Sequence, residues 1–566
     1  MLGHRFNRTR VERLAVAAML FAATALLLAT SPVRGDFWWQ DAPRHALNGA
    51  FVRDFVVGLP WHDPIGWAVN YYIRYPSLTI LFYPPLFYAV EAIFFAALGV
   101  NHFAAQCAVS AFVLLLGVAS YRLARLFLPR WSALGVALLI MGAPGTALWG
   151  RQVMLDVPLE ATLVASVLGF VEYLRRRRPA WLYGAAGLFV AALYIKLTAV
   201  YIAPPLLLAL FMARGRAAGW TVLRDRRVVL TAILSLVATI PAVLLTLWFG
   251  AVNMMNVTGL AGTNLALTDP RAWVFYARAI PGQLGYVPTV LALIGAAALA
   301  WQAAARPAAD QTKAGRPVWL PILMLSWFVF GYLFFSAISV RDPRHDLSIL
   351  FPVALCAALA LHRFLPRPTA QASTLALGVL TMAYSLVFLP VPTVRGYQEI
   401  ADYVAANLPR NGIVLYSGYR DGNFVFGMRT HAERGDVTIL RADKLLLRMA
   451  VFREWGVQQV DGDQQAIAAM LRQDGVAMVV AQRGFWDDLR AMKWFAQVVH
   501  SPDFREVAHF DISGDLSTND GGVPNGRNVV EIFLPTYPVT PPQGGIDIDM
   551  PFIGTRFHGV TGSSAQ

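Results

Sequence analysis

Charge is what this chain has least of. Asp, Glu, Lys and Arg make up 14% of its 566 residues, against about 25% in an average soluble domain. Hydrophobic residues reach 57%. The shortage of charge falls before residue 392, where apolar runs of roughly 18–23 residues recur, long enough to cross a hydrocarbon core of ~30 Å. These runs exclude an ordinary soluble protein and indicate a polytopic α-helical membrane protein. Cysteine is scarce as well. Cys107 and Cys356 are the only two, each inside an apolar run and far apart, which reads as two small buried hydrophobes rather than a disulfide or metal pair. Internal repeats, low-complexity tracts and a nucleotide-binding Gly-rich loop are all missing. The net charge of +13 does not indicate a nucleic-acid surface, because the excess of Lys and Arg sits in short loops between apolar runs.

Those basic loops set the expected topology. Arg122, Arg125 and Arg130 form one cluster and Arg175–Arg178 a second; Arg214, Arg216, Arg224, Arg226 and Arg227 form a third. Lys313 with Arg316, and Arg363 with Arg367, complete the series. Placing all of them in the cytoplasm predicts spans near 12–31, 103–122, 132–150, 157–174, 181–196, 198–213, 228–250, 283–302, 318–339, 347–363 and 371–391. The basic stretch Met1–Arg13 before the first run reads as the inside flank of a retained anchor in the cell membrane. An odd number of spans, about eleven, sends everything after residue 391 to the outside. Tyr83–Val100 is apolar but would invert every later loop if it crossed, so it reads as an interfacial or dipping helix started by Pro84-Pro85, with Glu91 facing protein. The outer face then carries residues 32–82, the loop around Asp156, the loop 251–282 and Arg341–Asp346. Residues 392–566 differ in kind. A helix over 396–407, a buried strand from Gly412, a helix over 464–473 and a strand over 476–481 predict an extracytoplasmic α/β domain, with an irregular tail from about 535.

The charges that the topology leaves unexplained gather on the outer side. They read Asp41-Ala42-Pro43-Arg44-His45-Ala46 in the first loop, then Tyr83-Pro84-Pro85, Arg151 to Asp156-Val157-Pro158, Lys196, and Arg341-Asp342-Pro343-Arg344-His345. In order and spacing these resemble the GT-C glycosyltransferases of the protein O-mannosyltransferase and lipid A aminoarabinose transferase type, a glycosyltransferase 39-like family, over roughly residues 12–360. The family's first loop typically reads Asp-Glu-x-Arg-Tyr-Ala; here Ala42 stands where Glu is frequent, and Tyr83-Pro84-Pro85 lacks a lysine found before the corresponding proline in aminoarabinose transferases. The resemblance implies a GT-C fold and a donor sugar carried on a polyprenyl phosphate.

The residues suit that chemistry on their own account. Outside the membrane a donor must arrive on a lipid phosphate, which leaves as an anion and needs no protonation. The protein has to accept a proton from the acceptor hydroxyl and stabilise charge on the phosphate. Asp41 is the expected base and Asp156 the second carboxylate; Arg44, Lys196 and Arg341 or Arg344 are expected at the phosphate, with His45, His345 and Tyr83 as further site candidates. Back-side attack inverts the anomeric centre. The acceptor group is a hydroxyl or a phosphate, on protein, lipid A, lipopolysaccharide or another envelope glycan. Simpler roles stand beside these: Asp41 and Asp156 also suit helix N-caps, Lys196 a snorkelling side chain, the 341–345 run a solvated loop, and Trp38 and Trp39 interfacial anchors. His62, Asp63 and His102 lack a metal-ligand spacing, and no cofactor is expected. Asp461-Gly462-Asp463 and Asp547-Ile548-Asp549 mimic nucleotide-sugar motifs on the wrong side of the membrane, and Asn256-Val257-Thr258 is a short chance-prone glycosylation match. A transporter of polyprenyl-linked sugars, or an inactive envelope-assembly scaffold, are the competing classes.

Overall fold

The computed structural model of the protein describes residues 2–214, 219–249, 267–305, 319–338, 340–449, 457–517, 528–540, 542, 546–550 and 555–559. Arg216, Lys313, Arg316 and Asn256-Val257-Thr258 lie outside these residues, as does the first half of the loop expected over 251–282. Each expected span falls on helix. Among the described residues, seven helices are long and apolar enough to cross a membrane: Val11–Ala29, His102–Ala124, Asp156–Arg176, Arg226–Phe249, Trp319–Ala337, Leu347–Phe364 and Arg367–Phe388. Arg130–Gly142, Pro179–Leu193 and Leu197–Ala213 are shorter apolar helices. Pro270–Leu284 and Tyr286–Trp301 form a pair bent by 119°. The bend falls at Gly285, whose φ of +100° is open to glycine and strained for other residues. Residues 270–282, expected in a loop, are therefore helical.

Leu86–Leu98 has 13 residues, about 20 Å of helix, and is too short to cross. It packs on the helix Ala42–Gly58 at Gly49, where a Cβ would come within 2.7 Å of Glu91. Glu91 is buried against protein, as its carboxylate requires. The segment 32–82 is thus mostly helical, with Ala42–Gly58 followed by Pro64–Arg74; Asp63 caps the second by accepting from Gly66 N at 2.9 Å.

Small residues set the closest helix approach. Arg130–Gly142 and Arg367–Phe388 meet backbone to backbone: a Cβ on Gly135 would lie 2.3 Å from the Thr374 carbonyl oxygen, and one on Gly378 would lie 2.2 Å from that of Gly135.

After residue 391 the chain forms a five-stranded sheet. We label its strands β1 (Ile413–Ser417), β2 (Thr438–Arg441), β3 (Val476–Gln482), β4 (Phe504–Asp511) and β5 (Val529–Pro535). The spatial order is β2-β1-β3-β5-β4, with β2, β1 and β3 parallel and the last two antiparallel. All five residues of β1 are buried, as a central strand covered on both faces should be. Helices Tyr397–Asn407 and Gln464–Gln473 occur where the sequence places them. The tail departs from expectation. Ile546–Met550 pairs antiparallel with Thr555–Gly559, because the Ile-Asp-Ile-Asp alternation after the Pro/Gly-rich stretch is itself a strand pattern.

The Gly135–Gly378 contact predicts that Gly378→Leu forces the two helices apart at a cost of roughly 1–3 kcal/mol. The check is the thermal midpoint of the purified protein; an unchanged midpoint would show that these helices do not touch there.

Candidate active site

The segment that leads into Ala42–Gly58 and three later loops meet at one polar cluster. Asp41 stands at the N-cap position of Ala42–Gly58, with proline in the first turn, yet its side chain makes no capping bond. It accepts instead from Trp39 Nε1 at 3.3 Å and faces the Arg344 guanidinium at 3.5 Å. Arg344 also meets Asp342 at 3.4 Å. Its Cζ sits 4.7 Å over the Trp39 ring and 5.4 Å over that of Trp149. Trp39 and Trp149 are perpendicular with centroids 5.1 Å apart, and Trp38 stacks on Trp149 at 6.2 Å. Trp39 and Trp149 therefore box a buried cation, with Trp38 stacked on Trp149, so neither Trp38 nor Trp39 acts simply as an anchor to lipid. Nε and Nη1 of Arg344 are buried without a hydrogen-bond partner.

Asp156 lies in the first turn of its helix, with Leu155 rather than Asp156 at the cap position. Its carboxylate accepts from Lys196 Nζ at 2.9 Å. Lys196 is thus held inside the protein and does not snorkel: its side chain is 16% exposed and that of Asp156 only 4%. Asp41 differs, with 42% of its side chain reachable by solvent. His45 Nδ1 bonds the Tyr88 hydroxyl at 3.0 Å, and its ring lies 5.6 Å from that of Tyr83.

The electrostatics follow from this crowding. Burial alone would raise the Asp41 carboxyl, but the opposing positive charges, Arg344 the largest, hold it below the usual carboxylate value. Burial pushes His45 down to about 4, with Asp41 opposing and Arg344 assisting the shift. Burial, then Lys196 and Arg344, drive His345 well below its ordinary value. Burial and the Asp41 carboxylate raise the Tyr83 hydroxyl. Near neutral pH the pocket holds an ionised Asp41, neutral histidines and a fixed guanidinium.

Two expected residues are placed elsewhere. Arg341 donates to the Ser336 carbonyl at 2.9 Å, at the end of the preceding helix. Arg44 turns toward the C-terminal sheet region and pairs with Asp421 at 2.7 Å. Asp421 also takes Arg441 at 2.6 Å and the Ser77 hydroxyl at 2.5 Å. Around it, Asn423 exchanges two bonds with the Phe37 backbone at 2.9 and 3.0 Å, Arg420 donates to the Trp38 carbonyl, and Tyr397 N donates to Asp36 at 2.9 Å. The segment carrying Asp41 is thus held by the loop after β1 and the helix Asp421–Thr430. Asp421 and Trp149 are not evident from the sequence, since a carboxylate and a tryptophan each occur often at surfaces. His102 bonds the Gly35 carbonyl at 3.0 Å and stacks on Phe37 at 3.8 Å. Asp463 caps its own helix through Ala466 N at 2.9 Å. Among the described residues no group of three or more His, Cys, Asp or Glu side chains is arranged to hold a metal ion.

Residues 83–245 match the family model for dolichyl-phosphate-mannose-protein mannosyltransferase. The crystal structure of ArnT from Cupriavidus metallidurans in the apo state superposes with a TM-score of 0.57 at 15% identity, covering 91% of this chain and 97% of that one. The same protein bound to undecaprenyl phosphate gives 0.54 at 14% identity, covering 94% and 99%. Comparison with curated proteins finds no match. The class is a multi-pass membrane protein with the GT-C glycosyltransferase fold. Within that class, the chain shares its fold with ArnT over nearly its whole length, and residues 83–245 carry the mannosyltransferase-like segment.

Removing Asp421 leaves Arg44 and Arg441 without their shared carboxylate. Asp421→Ala is expected to cost about 3–5 kcal/mol, read as a lower thermal midpoint and faster proteolytic release of the region after residue 391; cleavage at the wild-type rate would refute the clamp.

Proposed function

We propose that this chain is an inverting glycosyltransferase that moves a sugar from a polyprenyl-phosphate donor to a hydroxyl of an envelope acceptor, protein, lipid A or another glycan. The reaction takes place at the outer face of the cytoplasmic membrane, with the N-terminus inside and the region after residue 391 outside. The segregation of basic clusters supports that orientation. The observation that carries the reading is the pairing of a solvent-reachable Asp41 with a boxed Arg344 whose Nε and Nη1 lack hydrogen-bond partners.

The two carboxylates divide the work. Asp156 is committed to Lys196 and acts on Arg344 electrostatically, so it keeps both cations in place. Asp41 is reachable and ionised, and takes the proton of the acceptor hydroxyl as that oxygen attacks the anomeric carbon. The bond from C1 to the phosphate oxygen breaks with its electron pair on the phosphate. Arg344 and Lys196 then stabilise the added negative charge in a site of low dielectric. Attack opposite the leaving group inverts the anomeric centre. Arg44 serves by holding the Asp41 segment to Asp421 rather than by contacting phosphate, and Arg341 steadies its helix end. His45 and Tyr83 line the pocket as neutral groups that orient hydroxyls. The complex of ArnT with undecaprenyl phosphate, which has this fold, supports a prenyl-phosphate donor.

Asp41→Asn should lower transfer from a polyprenyl-phosphate sugar by about 10²–10⁴-fold, with polyprenyl-phosphate binding retained; near-wild-type transfer would refute the base assignment. The pH profile offers a separate check. Asp41 stays ionised because its pKa is lowered, and His45, at about 4, stays neutral above that value. Transfer should accordingly be nearly flat between about pH 6 and 8 and fall only on strong acidification. An inflection near the ordinary histidine value, about 6.5, would show that a histidine titrates in the mechanism.

A further inference from the structure

A second concavity, of about 410 Å³, lies where Ala42–Gly58, Pro64–Arg74 and the end of Asp421–Thr430 come together. Arg53, Arg74 and Arg429 line it against a single carboxylate, Asp54, so three positive charges face one negative. Asp54 is fully occupied: it meets Arg429 at 2.5 Å and Arg53 at 2.8 Å, and accepts from the Tyr71 hydroxyl at 2.9 Å. Arg74 has no ion-pair partner among the described residues, and the buried Nε of Arg53 has no hydrogen-bond partner. Trp67, Tyr71 and Tyr75 give part of the remaining wall an aromatic character. Trp67 and Tyr71 have centroids 5.1 Å apart, and Tyr71 and Tyr75 5.0 Å.

We infer that this cavity is a binding subsite for an anionic sugar residue, bearing a phosphate or a carboxylate, of the acceptor glycan. Guanidinium forks match the paired oxygens of either group. An inorganic anion alone has no use for the aromatic wall, whose faces pack against the C–H edges of a pyranose ring. A purely apolar ligand would strip water from Arg53 and Arg74 without giving them a partner. The placement suits a long acceptor. Arg53 lies 12 residues beyond Asp41 along one helix, about 18 Å at 1.5 Å per residue, so one end of a glycan can be gripped while another reaches the Asp41 pocket. Both sites also contact the helix Asp421–Thr430, through Asp421 at one end and Arg429 at the other. That the bound sugar belongs to the acceptor rests on the transferase reading; the binding itself does not.

The test is titration of the full-length protein in lipid nanodiscs by calorimetry. The probes are a galacturonic-acid oligosaccharide, a phosphorylated mannose oligosaccharide, a neutral mannose oligosaccharide and inorganic phosphate. At least one of the two charged glycans should bind about tenfold or more tightly than the neutral one, and which of them binds better identifies the anionic group. Arg74→Gln, at a side chain with no ion pair to lose, should weaken that binding about tenfold or more without shifting the thermal midpoint. Asp41→Asn should leave it unchanged, so a failure of the transferase reading leaves this result intact. Equal affinity for neutral and charged glycans, wild-type affinity in Arg74→Gln, or phosphate binding as tightly as the charged glycans would each overturn the subsite.

Discussion

The pocket depends on one buried guanidinium. Arg344 is taken largely out of water, which is expensive for a cation unless opposite charge and polarisable surface replace the lost hydration. Asp41 and Asp342 supply charge at 3.5 and 3.4 Å, and Trp39 and Trp149 supply ring faces. These ion contacts are longer than good hydrogen bonds, so the fork is held without being saturated. A saturated arginine would be structural only. One that is fixed in position with donors to spare suits the role proposed for it at the donor phosphate, since it needs no reorganisation when charge develops.

The second constraint is how Asp41 is kept in place. It lies at the start of a helix in an outer segment, and a lone helix end frays easily. The sheet region supplies the missing rigidity. In an open sheet with parallel central strands, the crevice beyond the strand ends, where successive connections leave in opposite directions, is the usual ligand position. Here β1 continues to its neighbour β2 on one side, and the chain then crosses to β3 on the other. Arg420, in the loop that follows β1, and Asn423, in the first turn of the helix Asp421–Thr430, grip the backbone of Phe37 and Trp38. The position that holds a ligand in many α/β domains is occupied by the protein's own outer segment, one turn before Asp41. The Arg44–Asp421–Arg441 chain extends that grip past Asp41.

Much of this was legible in the order of residues. Apolar run length and the segregation of arginine mark the helices, because a bilayer tolerates little else. Asp41, Asp156, Lys196 and Arg344 stood out because each is a charge that the positive-inside pattern does not explain. The divisions among them were not legible. Arg341 and Arg344 are equivalent in sequence, three residues apart in one loop, and only packing sends one to a helix end and the other between two tryptophans. Arg44 looked like a phosphate ligand because it lies three residues from Asp41. Its partner is instead Asp421, 377 residues on, a contact that no local spacing reveals.

The sequence by itself determined a membrane-spanning helical body, a following region that mixes strands and helices, and a set of charges that the basic loops do not explain, since hydropathy and charge balance are local properties summed along the chain. The tertiary structure decided which charges meet. It paired Lys196 with Asp156, left Asp41 reachable, boxed Arg344 and assigned Arg44 to the clamp. These outcomes rest on contacts between residues tens to hundreds of positions apart, and on burial that only the packed helices create.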